Sequence, residues 1–267
     1  MADRYAVIGN PVAHSKSPWI HAEFARQTGQ DIEYSRIEAP LDGFARTVDA
    51  FRAAGGRGAN VTVPFKDQAY RYCGRAASER ARAAGVVNTL LFESSAVRGD
   101  NTDGVGLLRD ITVNLGRAIK GCRVLLMGAG GAAQGVLGPL LGAGPRHLVI
   151  ANRTPVKARA LALRFGAASG GGYEELGGAR FDIVINATSA GLVDAAPALP
   201  EEVFAPGALG YDMVYGRDTP FLAMARAAGA EASDGSGMLV EQAAESFLIW
   251  RGVRPDTAPV LAALRQG

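Results

Sequence analysis

A lysine and an aspartate stand at two positions of the sequence where they could exchange a proton with a ligand. Lys66 directly follows the segment NVTVPF, which reads as a buried strand and its closing turn, and Asp103 lies in the motif GDNTDG. Ligands usually bind at the strand ends of α/β sheets. A lysine at a helix start is commonly solvated, and an aspartate before glycine commonly caps a turn. Together, however, the two residues predict a lysine–carboxylate pair that moves a proton.

Short polar side chains accompany this pair at predicted strand and loop ends. They carry hydroxyl and amide groups rather than further charges. Such a set suits a small ligand with several hydroxyl groups. The residues are Ser15, Ser17, Asn60, Thr62, Asn88, Thr89 and Gln242.

A glycine turn follows the apolar run of residues 124–127. Gly128, Gly130 and Ala133 match the pattern G-x-G-x-x-G/A, in which small residues let the backbone approach a pyrophosphate and let a helix pack closely. The helix predicted from about residue 132 to 143 would direct its N-terminal N–H groups at that phosphate. Because glycine clusters also form plain turns, the motif alone leaves dinucleotide binding and a simple turn equally open.

The end of the next predicted strand, residues 147–151, distinguishes between two dinucleotides. NAD-binding folds commonly place an acidic residue there for the ribose, whereas this chain has Asn152, Arg153 and Thr154, with Lys157 just beyond. A guanidinium group binds a 2′-phosphate, and a carboxylate would repel it. The predicted cofactor is therefore NADP, although an arginine at a helix start can also be simply solvated.

Strands and helices alternate along the chain, which predicts an α/β protein with mainly parallel sheets. In the N-terminal part, strands are predicted at 5–8, 34–37 and 59–63, a hairpin at 89–92 and 96–98, and helices at 18–27, 41–54, 78–84 and 103–115. A Rossmann-like series follows, with strands at 124–127, 147–151, 182–186 and 208–212. The apolar segments 238–250 and 255–264 predict terminal helices that pack back on the first part of the chain.

The composition argues against several classes of partner. The 267 residues are 48% hydrophobic, and 28 Lys and Arg balance 26 Asp and Glu, without a basic stripe of the kind that binds nucleic acid. The sequence has neither an apolar signal core at its start nor an apolar run of membrane length, so we expect a cytoplasmic protein that does not bind membranes. Cys73 and Cys122 are too far apart for a metal-binding motif, and no metal is expected.

Nine motifs, taken in order, resemble those of the shikimate dehydrogenase family over essentially the whole chain. They are GNPVAHSKSP, NVTVPFK, GVVNTL, GDNTDG, GAGGAA, NRT, NATSAG, YDMVY and GMLVEQA. The resemblance implies a substrate domain of residues 1–102 plus 238–267 and a Rossmann-like NADP-binding domain of residues 103–237, with the catalytic cleft between them. It also implies a reversible NADPH-dependent reduction of 3-dehydroshikimate to shikimate.

The resemblance further implies a role for each motif residue. Ser15 and Ser17 would hold the shikimate carboxylate with the Tyr215 hydroxyl. The ring hydroxyls would contact Thr62, Lys66, Asn88, Asp103 and Gln242, with Lys66 transferring the proton and Asp103 as its partner. NADP would contact Gly128, Ala129, Gly130, Gly131, Ala132, Asn152, Arg153, Thr154, Lys157, Thr188, Ser189, Met213 and Gly235. Glu79 carries over only loosely, and a surface glutamate is the preferred interpretation there.

Some alternatives stay open at this point. Asp103 could position the Lys66 ammonium group or share in the proton transfer. The chain could be a quinate/shikimate dehydrogenase of broader substrate use, or a non-enzymatic NADPH-binding sensor on the same fold. The presence of both Lys66 and Asp103 argues against a sensor, because a sensor has no need of a proton-transfer pair. The chain is expected to be a monomer or a homodimer.

Overall fold

The chain folds into two compact units, each with its own sheet and core. The computed structural model describes residues 2–166, 169–188 and 198–266. The first unit comprises Met1–Gly106 and Leu239–Gly267, and the second comprises Leu107–Met238. Strands and helices alternate in both units, so the predicted mixed α/β class is confirmed.

The first unit is built on a five-stranded sheet with the order β2-β1-β3-β4-β5. Strands β2, β1 and β3 are parallel, and β4 and β5 form the predicted antiparallel hairpin. The elements are β1 (Asp3–Gly9), α1 (Ser17–Thr28), β2 (Ile32–Glu38), α2 (Phe44–Ala53), β3 (Gly56–Val61), α3 (Lys66–Cys73), α4 (Glu79–Ala84), β4 (Thr89–Phe92) and β5 (Val97–Asp100).

Two loops meet where the strand order of this sheet reverses. The chain leaves β1 for β2 on one side and later returns to pair β3 with β1 on the other. The loops after β1 and β3 therefore follow neighbouring carboxyl ends, the position at which open α/β sheets usually bind ligands. Ser15 follows β1, and Thr62 follows β3.

The terminal helices complete the first unit. Helix α5 (Asp103–Arg109) leads from the first unit into the second and continues into a π-helical turn at Asp110–Asn114, whereas α9 (Ser236–Arg251) and α10 (Ala258–Gln266) end the chain. The apolar faces of α9 and α10 pack on α1. This shared core consists of Ile20, Phe24, Val240, Ala243, Ala244, Phe247, Val260 and Leu261.

The second unit is a parallel sheet with the order β11-β10-β9-β6-β7-β8. Counted along the chain from β6, this is the doubly wound order of dinucleotide-binding folds. The elements are β6 (Arg123–Met127), α6 (Gly131–Gly142), β7 (His147–Ala151), α7 (Pro155–Phe165), β8 (Ser169–Gly171), β9 (Phe181–Asn186), β10 (Phe204–Asp212), α8 (Pro220–Ala227) and β11 (Glu231–Ser233). The strand order reverses between β6 and β9, where the glycine turn is located.

Two boundary predictions in the first unit are wrong. The helix predicted from residue 41 begins at Phe44, and Leu41, expected on its buried face, is 65% exposed. The Gly43 amide donates to the Pro40 carbonyl in a turn before the helix, which sets Leu41 outside it. The strand predicted to reach residue 63 ends at Val61, and Val63 is 61% exposed. Among the described residues, no helix has the length and apolar character needed to cross a membrane.

A buried histidine makes the stability of the first unit depend on pH. His21 on α1 is fully buried, its ring stacks 4.3 Å from that of Tyr34, and neither ring nitrogen has a hydrogen-bond partner. Burial lowers the pKa of His21 from 6.5 to about 3, against a smaller opposing effect of Asn60. Below pH 6.5 the unfolded chain therefore binds a proton at His21, whereas the folded chain binds one there only below about pH 3.

We expect this group to remove about 2 kcal/mol from the free energy of unfolding between pH 7 and pH 5, since the unfolded state binds more protons there. His21→Phe keeps an aromatic ring against Tyr34 and cannot titrate, so its stability should fall less over the same range. Urea unfolding at both pH values measures the difference. His147→Gln, at an exposed position, is the control and should lose as much free energy of unfolding between pH 7 and pH 5 as the wild type. Parallel losses in wild type and His21→Phe would contradict the assignment.

Candidate active site

The first unit brings the predicted lysine and aspartate into direct contact. Lys66 begins α3, and its Nζ donates to Asp103 Oδ2 at 2.6 Å. The Lys66 and Asp103 side chains retain 16% and 6% of their exposure. Such burial is costly for charges unless they pair closely and satisfy their remaining hydrogen bonds. The pair therefore keeps a proton donor in a largely water-excluded place.

Asn88 fixes the second oxygen of Asp103. Its Nδ2 donates to Asp103 Oδ1 at 2.9 Å, and its Oδ1 accepts from the Thr102 backbone N–H at 2.8 Å. Because a backbone N–H can only donate, the amide has one possible orientation, with its NH2 group toward Asp103. The carboxylate of Asp103 is thus held between Lys66 and Asn88.

Gln242 and a neighbouring serine extend this hydrogen-bond network from helix α9. Gln242 Oε1 lies 3.3 Å from Asn88 Nδ2, and Gln242 Nε2 donates to the Leu239 carbonyl at 2.8 Å. Ser246 is fully buried, and its Oγ lies 2.8 Å from Thr89 Oγ1 and 3.0 Å from Asn60 Nδ2. Sequence reasoning missed Ser246, although its position one helical turn after Gln242 could have indicated it.

The two predicted serines lie together on the loop after β1 and at the start of α1. Ser15 and Ser17 are 6% and 5% exposed, and the Ser17 backbone N–H donates to Ser15 Oγ at 3.3 Å. The guanidinium group of Arg36 donates to the Ser15 carbonyl at 2.6 and 2.9 Å, which holds this loop on β2. Thr62 is partly buried in the loop after β3, the neighbouring strand.

An ion-pair network holds the segment that leads to Asp103. Asp100 Oδ1 accepts from Ser78 Oγ and from Arg80 Nε, both at 2.6 Å, and Arg80 Nη1 also donates to Glu245 at 2.9 Å. Burial tends to raise the pKa of Asp100, but the bonds from Arg80 and Ser78 hold that pKa below its usual 3.8. Asp100 thus stays ionised at neutral pH and anchors the end of β5.

The second unit displays the glycine turn at the point where its strand order reverses. Gly128 has φ +104°, and a Cβ there would lie 3.0 Å from the Ala187 carbonyl oxygen in the loop after β9. Gly130 is the N-cap of α6 and gives no side-chain cap, and a Cβ on it would meet no atom within 4 Å. Ala129, Gly131 and Ala132 complete the turn and the first residues of α6. The backbone N–H groups there suit a pyrophosphate.

The basic segment follows β7, the strand beside β6. Asn152 Nδ2 donates to the Thr154 carbonyl at 3.0 Å, which fixes the turn, and Arg153 and Thr154 are exposed beyond it. Pro155 starts α7, and Lys157 is exposed in its first turn. Cationic and hydroxyl groups thus stand next to the glycine turn, where a 2′-phosphate would need them. This arrangement fits NADP.

The remaining predicted cofactor residues follow β9 and β10 or precede α9. Thr188 donates to Asn186 Oδ1 through both its backbone N–H (3.1 Å) and its hydroxyl group (2.7 Å). Met213 and Tyr215 are partly buried in the segment after β10. Ser189 lies outside the described residues. Glu79 is exposed on the first turn of α4 in the first unit, as a surface glutamate would be.

No group of three or more His, Cys, Asp or Glu suited to a metal ion occurs within residues 2–166, 169–188 and 198–266.

Three family profiles match successive parts of the chain. Residues 7–90 match the shikimate dehydrogenase substrate binding domain, and residues 111–195 match shikimate / quinate 5-dehydrogenase. Residues 235–265 match the shikimate 5'-dehydrogenase C-terminal domain.

Curated relatives are similar over nearly their whole length. A shikimate dehydrogenase (NADP(+)) of Aromatoleum aromaticum is 60% identical over 272 residues, which cover 99% of this chain and 97% of the relative. The protein of the same name from Nitrosospira multiformis is 60% identical over 271 residues, covering 99% and 98%.

Solved structures show the same fold. An Ael1 enzyme from Pseudomonas putida has a TM-score of 0.92 at 51% identity and covers 98% of both chains. Shikimate 5-dehydrogenase from Thermus thermophilus, solved in complex with NADP(H) and shikimate, has a TM-score of 0.89 at 35% identity and covers 99% of both chains.

Proposed function

Since this chain belongs to the shikimate dehydrogenase family, we propose that it catalyses the reversible NADPH-dependent reduction of 3-dehydroshikimate to shikimate, with Lys66 as the proton donor and acceptor. The observation that carries the proposal is the largely buried contact of Lys66 Nζ with Asp103 Oδ2 at 2.6 Å. A non-enzymatic sensor has no need of a proton-transfer pair, and burial of two charges would only cost it stability.

Lys66 supplies the proton in the direction of reduction. Its ammonium group donates to the carbonyl oxygen of 3-dehydroshikimate as that oxygen gains electron density, and the neutral amine takes the proton back during oxidation of shikimate. NADPH, when bound, supplies the hydride to the carbonyl carbon. Asp103 orients the ammonium group and stabilises its charge, while Asn88 keeps the carboxylate in place.

The polar groups of the first unit select the substrate. Ser15 and Ser17 bind its carboxylate, with help from the Tyr215 hydroxyl. Thr62, Asn88 and Gln242 bind ring hydroxyls, and Asn88 and Gln242 already share the hydrogen-bond network that holds Asp103. A substrate with several hydroxyl groups fits this set because hydroxyl and amide side chains can each donate and accept hydrogen bonds.

The second unit holds the cofactor. The turn from Gly128 to Ala132 binds the pyrophosphate, and Asn152, Arg153, Thr154 and Lys157 bind the 2′-phosphate. Thr188 and Ser189 also contact the cofactor, and Met213 and Gly235 lie near the nicotinamide. The substrate domain accordingly comprises residues 1–102 with 238–267, and the NADP-binding domain comprises residues 103–237. The chain works in the cytoplasm as a monomer or a homodimer.

Initial rates with two substrates and two cofactors test this function. We expect rapid reduction of NADP+ with shikimate, measured as the absorbance of the reduced cofactor at 340 nm. Reduction should be much slower with quinate or with NAD+. Comparable rates with quinate would instead support the quinate/shikimate dehydrogenase. Absence of turnover in all four combinations, from folded protein that binds NADPH, would support the sensor.

A further inference from the structure

Two carboxylates hold the turn that follows strand β10. Residues 213–216 form this turn, which we call the 213–216 turn, and it carries Met213 and Tyr215. Asp212 precedes the turn, and Asp234 lies in the segment between β11 and α9. Each carboxylate accepts a backbone N–H of the turn, from Val214 and Gly216 respectively.

Asp212 uses both of its oxygens for donors. Oδ1 accepts from Val214 N at 3.0 Å, and Oδ2 accepts from Thr219 Oγ1 at 2.6 Å and from Asn186 Nδ2 at 3.1 Å. The residue is fully buried, and burial raises the pKa of Asp212 above its usual 3.8 while these donors oppose that rise. A buried carboxylate with three donors around it favours a single arrangement of the groups it binds.

Asn186 carries this arrangement from Asp212 to Thr188. Its NH2 group faces Asp212, and its Oδ1 accepts from the backbone N–H and the hydroxyl group of Thr188. Because the backbone N–H of Thr188 can only donate, Asn186 cannot turn over without breaking its hydrogen bond with that group. Asp212 thus fixes Thr188 through Asn186 as well as fixing the 213–216 turn.

Asp234 holds the opposite end of the turn. Its Oδ2 accepts from Gly216 N at 2.9 Å and from Ser236 Oγ at 2.8 Å, and its Oδ1 accepts from Ser236 N at 3.1 Å. The adjacent Gly235 N–H donates to the Val214 carbonyl at 3.0 Å, and a Cβ on Gly235 would lie 2.4 Å from the Met213 carbonyl oxygen. The segment 234–236 therefore packs directly against the turn.

We propose that Asp212 and Asp234 are positioning residues for NADP, which fix the 213–216 turn and, through Asn186, the backbone of Thr188. The inference rests on the proposed cofactor contacts of Thr188 and Met213, and it adds two residues that act through the groups they hold. Both carboxylates hold the contacting groups in one geometry before NADP binds, so less conformational entropy is lost on binding.

Asp212→Asn tests the inference because every group around the carboxylate is a donor. An asparagine at position 212 must point its NH2 group either at the Val214 N–H or at the Asn186 NH2 group, and both of these groups are donors. Turning Asn186 over would remove the second conflict, but it would break the hydrogen bond from the Thr188 backbone N–H to Asn186 Oδ1. Asp182→Asn is the matched control. Asp182 is also in the second unit, but its Oδ2 accepts a single backbone N–H, from Arg123 at 2.7 Å, which an amide oxygen can still accept.

Calorimetric titration with NADP+ alone gives the readout, next to the thermal midpoint of each variant. We expect Asp212→Asn to raise the Kd for NADP+ by about tenfold, as the loss of one buried hydrogen bond implies, and Asp182→Asn to leave it within about twofold. If Asp212→Asn does not fold, Asp234→Asn takes its place, since Asp234 is partly exposed and also receives donors on both oxygens. The same rise in Kd is expected there.

The outcomes separate this inference from the proposed function. If the wild-type chain binds NADP+ and oxidises shikimate, while the folded aspartate variants bind NADP+ as tightly as Asp182→Asn, the inference is wrong and the function stands. If the wild-type chain neither binds NADP+ nor oxidises shikimate, the proposed function fails, and this inference fails with it.

Discussion

Replacing Lys66 by alanine is expected to lower kcat for shikimate oxidation by about 10³-fold, within the range that positioned acid–base groups contribute. The KM for shikimate should change little, because the proposed role of Lys66 is confined to the transition state. Initial rates at saturating NADP+ measure both constants. Added small primary amines should restore part of kcat, since they supply a proton donor and acceptor at the vacated position.

Lys120→Ala is the control for this variant, because Lys120 is an exposed lysine of the second unit. It should retain the wild-type kcat. Asp103→Asn separates the two possible roles of Asp103. An asparagine oxygen can still accept from Lys66, but its NH2 group then opposes the NH2 group of Asn88. A partial loss of kcat therefore indicates positioning, and a loss as large as that of Lys66→Ala indicates a share in the proton transfer. A near-normal kcat in Lys66→Ala would remove the lysine from the mechanism.

Arg153→Ala is expected to weaken NADP+ binding by about 1 to 3 kcal/mol, or roughly 5- to 150-fold, and to leave NAD+ binding nearly unchanged. Arg153 is exposed directly after β7, and its guanidinium group would make charge-assisted hydrogen bonds only to the 2′-phosphate. Kinetic constants for each cofactor at saturating shikimate give the two losses separately.

The matched control is Arg146→Ala, since Arg146 is also exposed but precedes β7 at its other end. This variant should discriminate between the two cofactors as the wild type does. Equal losses for NADP+ and NAD+ in Arg153→Ala would show that the arginine does not recognise the 2′-phosphate.

Much of the fold could be predicted from the sequence because its central strands are short apolar runs. The apolar pattern of residues 147–151 predicts a strand, and these residues form β7 with the same bounds. The edge strands β8 and β11 were missed because their sequences, SGG and EAS, show neither apolar character nor alternation. The error at Leu41 arose because its spacing from Phe44 suits a helix, while the turn between Pro40 and Gly43 overrides that spacing.

The candidate site could be predicted as residue types but not as a connected arrangement. Lys66 and Asp103 could be predicted as a pair because a lysine after a strand end and an aspartate at the predicted domain junction carry opposite charges, and the structure places them in contact. The orientation of Asn88 depends on the backbone of Thr102, and the place of Ser246 depends on how α9 packs beside β3 and β4. These relations are tertiary, so spacing along the chain could not reveal them. The roles of these residues stay predictions.

Transfer of an isotope from substrate to cofactor tests the central claim most directly. The wild-type chain is incubated with NADP+ and with shikimate deuterated at the carbon that becomes the ketone. The mass of the reduced cofactor is then measured by mass spectrometry. We expect one deuterium in each molecule of reduced cofactor and none in the solvent, because the hydrogen on carbon moves to the nicotinamide while the hydroxyl proton goes to Lys66. Reduced cofactor without deuterium, or no reduced cofactor at all, would contradict the proposed reaction.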